Sequence, residues 1–184
     1  MEKFVKEVLI SEEEIREKTK ELGQQISKDY EGKDILLLCI LKGGIMFMTE
    51  LSKHIDVPVE FDFMVVSSYG NELKSSGEVK IIKDLDQSIK DKHVLIVEDI
   101  IDTGLTLNYL CDYLKGRGPA SIKICTLLDK PEGRENPIEV DYIGYSIPNK
   151  FVVGYGLDFE EYYRNVPYIF VPNPEEDPRK RGSK

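Results

Sequence analysis

The sequence is poor in the residues that staple small proteins. It holds three cysteines and two histidines among 184 residues. No pair among Cys39, Cys111 and Cys125 has the spacing of a metal or redox site, and His54 and His93 stand apart from each other and from the cysteines. That leaves no zinc pattern and no disulfide framework, and it predicts reduced core thiols in a cytoplasmic protein. No apolar run approaches the roughly 18 residues of a membrane span. The opening MEKFVKEVLISEEEI is broken by charge every few residues, unlike a secretory signal. Positive charge is also short: 25 Lys and Arg against 34 Asp and Glu leave a net charge of −9. A nucleic-acid binder relying on a general basic field is therefore not expected. The basic cluster at 179–184 sits in a tail that reads as a loose end.

What is present is a globular composition, 41% hydrophobic and 32% charged. A chain of this size buries about 70% of its unfolded surface and needs no staple. Ser11 followed by Glu14 signals a capping box, with Ile15, Leu22 and Ile26 on one face of the helix behind it. Residues 35–41 (ILLLCIL) form a continuous apolar run, the mark of a strand covered on both faces. A helix over 45–54, a strand over 59–67, a polar loop over 69–78 and a strand over 79–82 follow. Residues 94–97 form another buried strand, 105–115 a helix closed by Gly116, and 122–128 a further strand. Short strands are predicted over 142–146, 151–153 and 168–171, with one or two helical turns over 160–164. This order predicts an α/β fold: a mostly parallel twisted sheet flanked by helices. Residues 1–172 read as one domain with a mobile loop at about 69–78, and 173–184 as a polar tail.

Ligands of such sheets sit beyond the carboxyl ends of the strands. That rule selects residues 42–44, 67–69, 98–106 and 129–130. The richest is 98–106, EDIIDTGLT. Its second half is a small-residue turn entering a helix, where Gly104, the Thr103 and Thr106 hydroxyls and the helix dipole suit a monophosphate. Its first half carries Glu98 and Asp99, which would repel a bare phosphate. A ligand with a phosphate at one end and vicinal hydroxyls at the other resolves the conflict, because carboxylates accept from a ribose diol. A divalent cation between the carboxylates would serve as well. Phosphate, diol and metal together describe a ribose phosphate. The bland alternative, solvated and capping acids, fits one such residue better than three within five positions.

The run VLIVEDIIDTGLT resembles the phosphoribosyl-pyrophosphate motif of type I phosphoribosyltransferases. The fuller resemblance is to the hypoxanthine-guanine branch of that family, over about residues 10–171. Leu41-Lys42-Gly43-Gly44, Ser67-Ser68-Tyr69-Gly70, Leu128-Asp129-Lys130 and FVVGYGLDFEEYYR at 151–164 follow in the right order. The resemblance implies a hood built from N- and C-terminal segments above the sheet. It implies Mg2+-dependent transfer of phosphoribose from phosphoribosyl pyrophosphate to hypoxanthine or guanine, giving IMP or GMP plus pyrophosphate. It also implies a homodimer or homotetramer, with neither membrane nor nucleic acid as partner.

Residue by residue, the resemblance implies that Glu98 and Asp99 hold the ribose diol, and Asp102, Thr103, Gly104, Leu105 and Thr106 the 5′-phosphate. Asp102 faces purine N7 as general base, although an N-cap alone would also explain it. Lys42 and Gly43 bind pyrophosphate, in a loop whose peptide between these two positions is often cis in the family, and Arg164 adds a fork for two oxygens. Lys130, with donors only, accepts the O6 of hypoxanthine or guanine and rejects adenine. Phe151 stacks on the purine and the Val152 carbonyl reads its edge. Asp158 is a purine-side, magnesium-linked carboxylate, so Glu98, Asp99 and Asp158 form the metal set. Ser68 and Tyr69 begin a loop that closes over the site. Position 105 is Leu where some members carry lysine, which leaves one cation fewer. A receiver-type signalling domain would place its acids after the first strand, whereas here the first strand ends in Lys-Gly-Gly and the acids come three strands later. An RNA-binding regulator on the same scaffold would need a clustered basic face.

Overall fold

A computed structural model describes residues 1–68 and 79–182. The predicted loop at 69–78, with Tyr69, lies outside the described residues, as does the side chain of Ser68. The chain runs β1 (Val5–Ile10), α1 (Glu12–Asp29), β2 (Ile35–Leu41), α2 (Ile45–Ser52), β3 (Val59–Ser68) and β4 (Val79–Lys83). It continues with β5 (His93–Ile101), α3 (Leu105–Lys115), β6 (Ser121–Asp129), β7 (Tyr142–Ser146) and β8 (Ile169–Pro172).

The central sheet has the order β4-β3-β2-β5-β6-β7. All its pairings are parallel except β3 with β4. Alternation along the buried strands explains why they read as unbroken apolar runs. Ile35, Leu37 and Cys39 of β2 face a core closed by α1 and α2, through Ile15, Leu22, Ile26, Phe47 and Leu51. Leu36, Leu38 and Ile40 face the opposite core, closed by Leu107, Leu110 and Leu114 of α3. The capping box forms as predicted: Glu14 N donates to Ser11 Oγ at 3.3 Å and Ser11 N to Glu14 Oε2 at 2.8 Å.

The hood is a second, two-stranded sheet in which β1 runs antiparallel to β8, Val5 opposite Pro172. Phe4, Val153, Val166 and Phe170 form its small core. Four expectations need correction here. The charged N-terminal segment contains strand β1, which its alternating charge concealed. Residues 151–153 contribute an isolated bridge, Val153 with Phe170, rather than a strand. Residues 160–164 are not helical: Glu160, Glu161 and Tyr163 have φ of +52°, +71° and +71°. As far as Gly182 the tail is not loose. Asp177 is 1% exposed, with short 3-10 turns at Pro174–Glu176 and Pro178–Gly182.

Candidate active site

The carboxyl ends of β2, β5 and β6 gather most of the predicted residues. β5 continues through Ile101, so Glu98 and Asp99 lie within the strand and not beyond it. Both are enclosed. Burial, and then the neighbouring Asp99, push the Glu98 carboxyl well above the ordinary range. Burial also pushes Asp99 up to about 6, opposed by the N–H of Ile100, which donates to Asp99 Oδ1 at 2.9 Å. Beside them the thiol of Cys39 is pushed up to about 12, mainly by burial.

The Lys42-Gly43 turn closes directly over Asp99. A Cβ on Gly43 would lie 1.8 Å from Asp99 Oδ2, so only glycine lets the backbone pass. The cis peptide is Leu41-Lys42, one residue before the Lys42-Gly43 bond to which the resemblance pointed. Gly156 in turn abuts this loop, its would-be Cβ 2.0 Å from the Gly43 carbonyl oxygen. The segment around Gly156 therefore rides on the Lys42-Gly43 turn, and it brings Asp158, Glu161 and Arg164 with it. Lys42 Nζ meets Glu161 Oε2 at 2.6 Å. Arg164 pairs with Asp158 Oδ1 at 2.9 Å and donates to the Gly156 carbonyl at 2.8 Å. Its Nε is buried with no hydrogen-bond partner among the described residues.

On the other side of β5, Gly104 has φ +80° and caps α3, whose first turn holds no acidic residue. Leu105 N donates to Thr103 Oγ1 at 3.3 Å. Glu98, Asp102, Thr103, Gly104 and Thr106 line an open hollow of about 190 Å³ here. N–H groups at a helix start have no partner within the helix, and a first turn free of acidic residues suits an anion, although Glu98 and Asp102 share the lining of the hollow. Asp102 does not cap the helix with its side chain, since no side-chain cap bond forms at α3. Instead Asp102 Oδ2 faces Lys130 Nζ at 3.5 Å, with Asp102 half exposed and Lys130 nearly enclosed. The structure thus brings the predicted base and the predicted purine lysine together.

Sequence reasoning missed the brace behind this pair. Arg134 pairs with the buried Asp129 and donates through Nε to the Asp102 carbonyl at 3.1 Å. Glu135 N and Asn136 N both donate to the Thr103 carbonyl, at 3.0 and 2.9 Å. Only the Pro131–Gly133 turn hinted that the chain doubles back onto 102–104 there. Phe151 is 58% exposed, edge-on to Phe159 with centroids 6.1 Å apart, whereas the Val152 side chain is buried in the core. An exposed ring held by another ring is available for stacking.

Among the described residues no three His, Cys, Asp or Glu side chains form a preformed metal cage. Magnesium seldom needs one, since it takes one or two carboxylates plus substrate phosphates and water. Asp99, beneath the Gly43 turn, and the adjacent Glu98 offer oxygen donors that fit that requirement. No helix among the described residues is long and apolar enough to cross a membrane.

A mostly parallel sheet that sets an acidic strand end, a Gly-Thr anion turn and a buried lysine side by side is the frame of an enzyme that handles a ribose phosphate. The family model for the phosphoribosyl transferase domain matches residues 8–160, and the chain belongs to that family. It is 58% identical to hypoxanthine-guanine phosphoribosyltransferase of Streptococcus thermophilus, over 95% of this chain and 97% of that one. It is 59% identical to the enzyme of the same name from Lactococcus lactis, with 95% of each chain covered. A crystal structure of hypoxanthine phosphoribosyltransferase from Staphylococcus aureus superposes with a TM-score of 0.91 at 52% identity, over 95% of both chains. Within the family, the chain falls in this hypoxanthine-guanine branch.

Proposed function

We propose that the chain is a purine-salvage transferase. It moves the 5-phosphoribosyl group from phosphoribosyl pyrophosphate to N9 of hypoxanthine or guanine, releasing pyrophosphate and forming IMP or GMP. The observation that carries this reading is the Asp102–Lys130 pair beside the Gly104 hollow, which sets a carboxylate and an ammonium where a purine would meet a bound ribose phosphate.

The transition state develops positive charge at C1′ and negative charge on the departing pyrophosphate. The chain's residues divide that work. Thr103, Gly104, Leu105 and Thr106 receive the 5′-phosphate at the start of α3, and Glu98 and Asp99 accept hydrogen bonds from the ribose diol. Asp102 takes the proton from N7 as N9 attacks, a step worth ~10²–10⁴-fold for a positioned base. Lys130 donates to O6, an acceptor in hypoxanthine and guanine and an amino donor in adenine. Phe151 stacks on the ring and the Val152 carbonyl reads its edge.

Lys42, Gly43 and Arg164 hold the pyrophosphate, and the unpartnered Nε of Arg164 is a donor available to it. Glu98, Asp99 and Asp158 would hold Mg2+, which when bound neutralises pyrophosphate charge. Ser68 and Tyr69 introduce the closing segment. The enzyme works in the cytoplasm as a homodimer or homotetramer. No observation favours the RNA-binding alternative, since Arg179 is engaged by Asp177 and Glu160 and not displayed.

The test is a spectrophotometric assay with phosphoribosyl pyrophosphate, Mg2+ and each of hypoxanthine, guanine and adenine. Turnover of the oxopurines alone, abolished by chelation, is the expected outcome. Equal turnover of adenine would remove Lys130 from the specificity reading, and no turnover of any base would overturn the proposal.

A further inference from the structure

The segment 158–164 carries Arg164 of the proposed pyrophosphate site and Asp158 of the proposed metal set, on a backbone that departs from regular structure. Glu160, Glu161 and Tyr163 all lie at positive φ, a region L residues rarely occupy without outside restraint. Its own contacts are a reciprocal backbone pair between Phe159 and Tyr162, at 3.0 and 3.1 Å, a bond from Glu161 N to Asp158 Oδ2 at 2.8 Å, and the pairing of Arg164 with Asp158 and Glu161. On the side away from the Lys42-Gly43 turn, the restraint comes from the C-terminal segment. Tyr163 Oη donates to Asp177 Oδ1 at 2.6 Å. Arg179 grips Asp177 with Nε and Nη2, at 3.0 and 2.5 Å, and reaches Glu160 Oε2 at 2.8 Å. Its guanidinium lies 4.4 Å from the Tyr162 ring centroid and 5.5 Å from that of Phe159. Phe159 is the ring on which Phe151 rests.

We propose that Arg179, locked by Asp177, is a positioning residue for substrate binding: it fixes the 158–164 segment against the Lys42-Gly43 turn and the Phe151 ring above the purine site. The inference rests on the reading of Arg164 and Phe151 as substrate contacts. The geometry divides the labour by face. One face of the segment meets the active-site turn, through Glu161 to Lys42 and Arg164 to the Gly156 carbonyl. The other meets Arg179 and Asp177. A planar fork is needed because it must serve Asp177, Glu160 and two ring faces at once. An ammonium can keep one ion pair but cannot stack in the same way.

The experiment is steady-state kinetics on the full chain with phosphoribosyl pyrophosphate, Mg2+ and hypoxanthine, alongside thermal unfolding. Arg179→Met is expected to raise KM for both substrates about tenfold, equivalent to ~1.4 kcal/mol of binding, with kcat changed less than about threefold. Arg179→Lys is expected to recover part of the loss. Unchanged KM values, or activity that falls only with the folded fraction, would overturn the proposal. If Arg179→Met does not fold, Glu160→Gln at the exposed end of the clamp asks the same question and is expected to raise both KM values more modestly; unchanged values there would likewise overturn it. Arg164→Met separates the two levels. If it leaves the KM for phosphoribosyl pyrophosphate unchanged, the reading of the site fails, and the inference with it. If it raises that KM while Arg179→Met does not, only the clamp fails.

Discussion

Asp102 and Lys130 illustrate how one contact can serve two requirements. The 3.5 Å separation between their charged groups is loose for a committed ion pair, which leaves both able to face a ligand. Asp102→Asn keeps the shape and removes the proposed base. Its kcat should fall ~10²–10⁴-fold while nucleotide affinity changes little, measured by single turnover and by equilibrium binding of IMP. Lys130→Met should cost about 2 kcal/mol, some 30-fold in kcat/KM for hypoxanthine, and narrow the gap between hypoxanthine and adenine. An undiminished gap would place the discrimination elsewhere. Both residues were legible in the sequence because each ends a buried apolar run. Their brace was not: nothing in the spacing of Arg134 and Asp129 reveals that one side chain spans two loops.

Among the elements, those that depend on local chemistry were the most readable. Helix α3 came out with the predicted bounds because a glycine turn precedes it and Gly116 closes it. Gly104 is held at φ +80°, and a Cβ there would sit 2.7 Å from the Asn136 carbonyl oxygen. Gly104→Ala should therefore lower stability by about 1–3 kcal/mol in urea unfolding and weaken IMP binding as well. Ser11→Ala removes the α1 capping box and should cost about 1 kcal/mol with no change in KM, since the cap is remote from the site. Elements whose form depends on distant partners were misread. The charges of β1 hid its pairing with β8, and the Glu-Glu-Tyr-Tyr run at 160–163 suggested a helix that tertiary contacts bend into left-handed turns. Propensity is a weak guide wherever another segment supplies the restraint.

For the molecule as a whole, the C-terminal clamp gives folding stability an acid-side dependence. Hydrogen bonding from Arg179, foremost, and from Tyr163 holds the Asp177 carboxyl well below the usual carboxylate range. A lowered native pKa means the unfolded chain binds the proton more readily, so the contribution is present above the unfolded value of about 3.9 and is lost as pH falls below it. Asp177→Asn should be less stable than wild type at pH 7, with the difference shrinking on acidification through about pH 4 in denaturant titrations. A constant difference across that range would detach the clamp from stability. The pairing of β1 with β8 has a further consequence, which concerns the order of manufacture. A ribosome releases Val5 long before Ile169, so β1 must wait without its partner while the central sheet condenses between them. The hood that carries Phe151 and Arg164 can close only when synthesis has passed β8. A nascent chain halted before Ile169 should therefore hold a nearly finished sheet and no working enzyme.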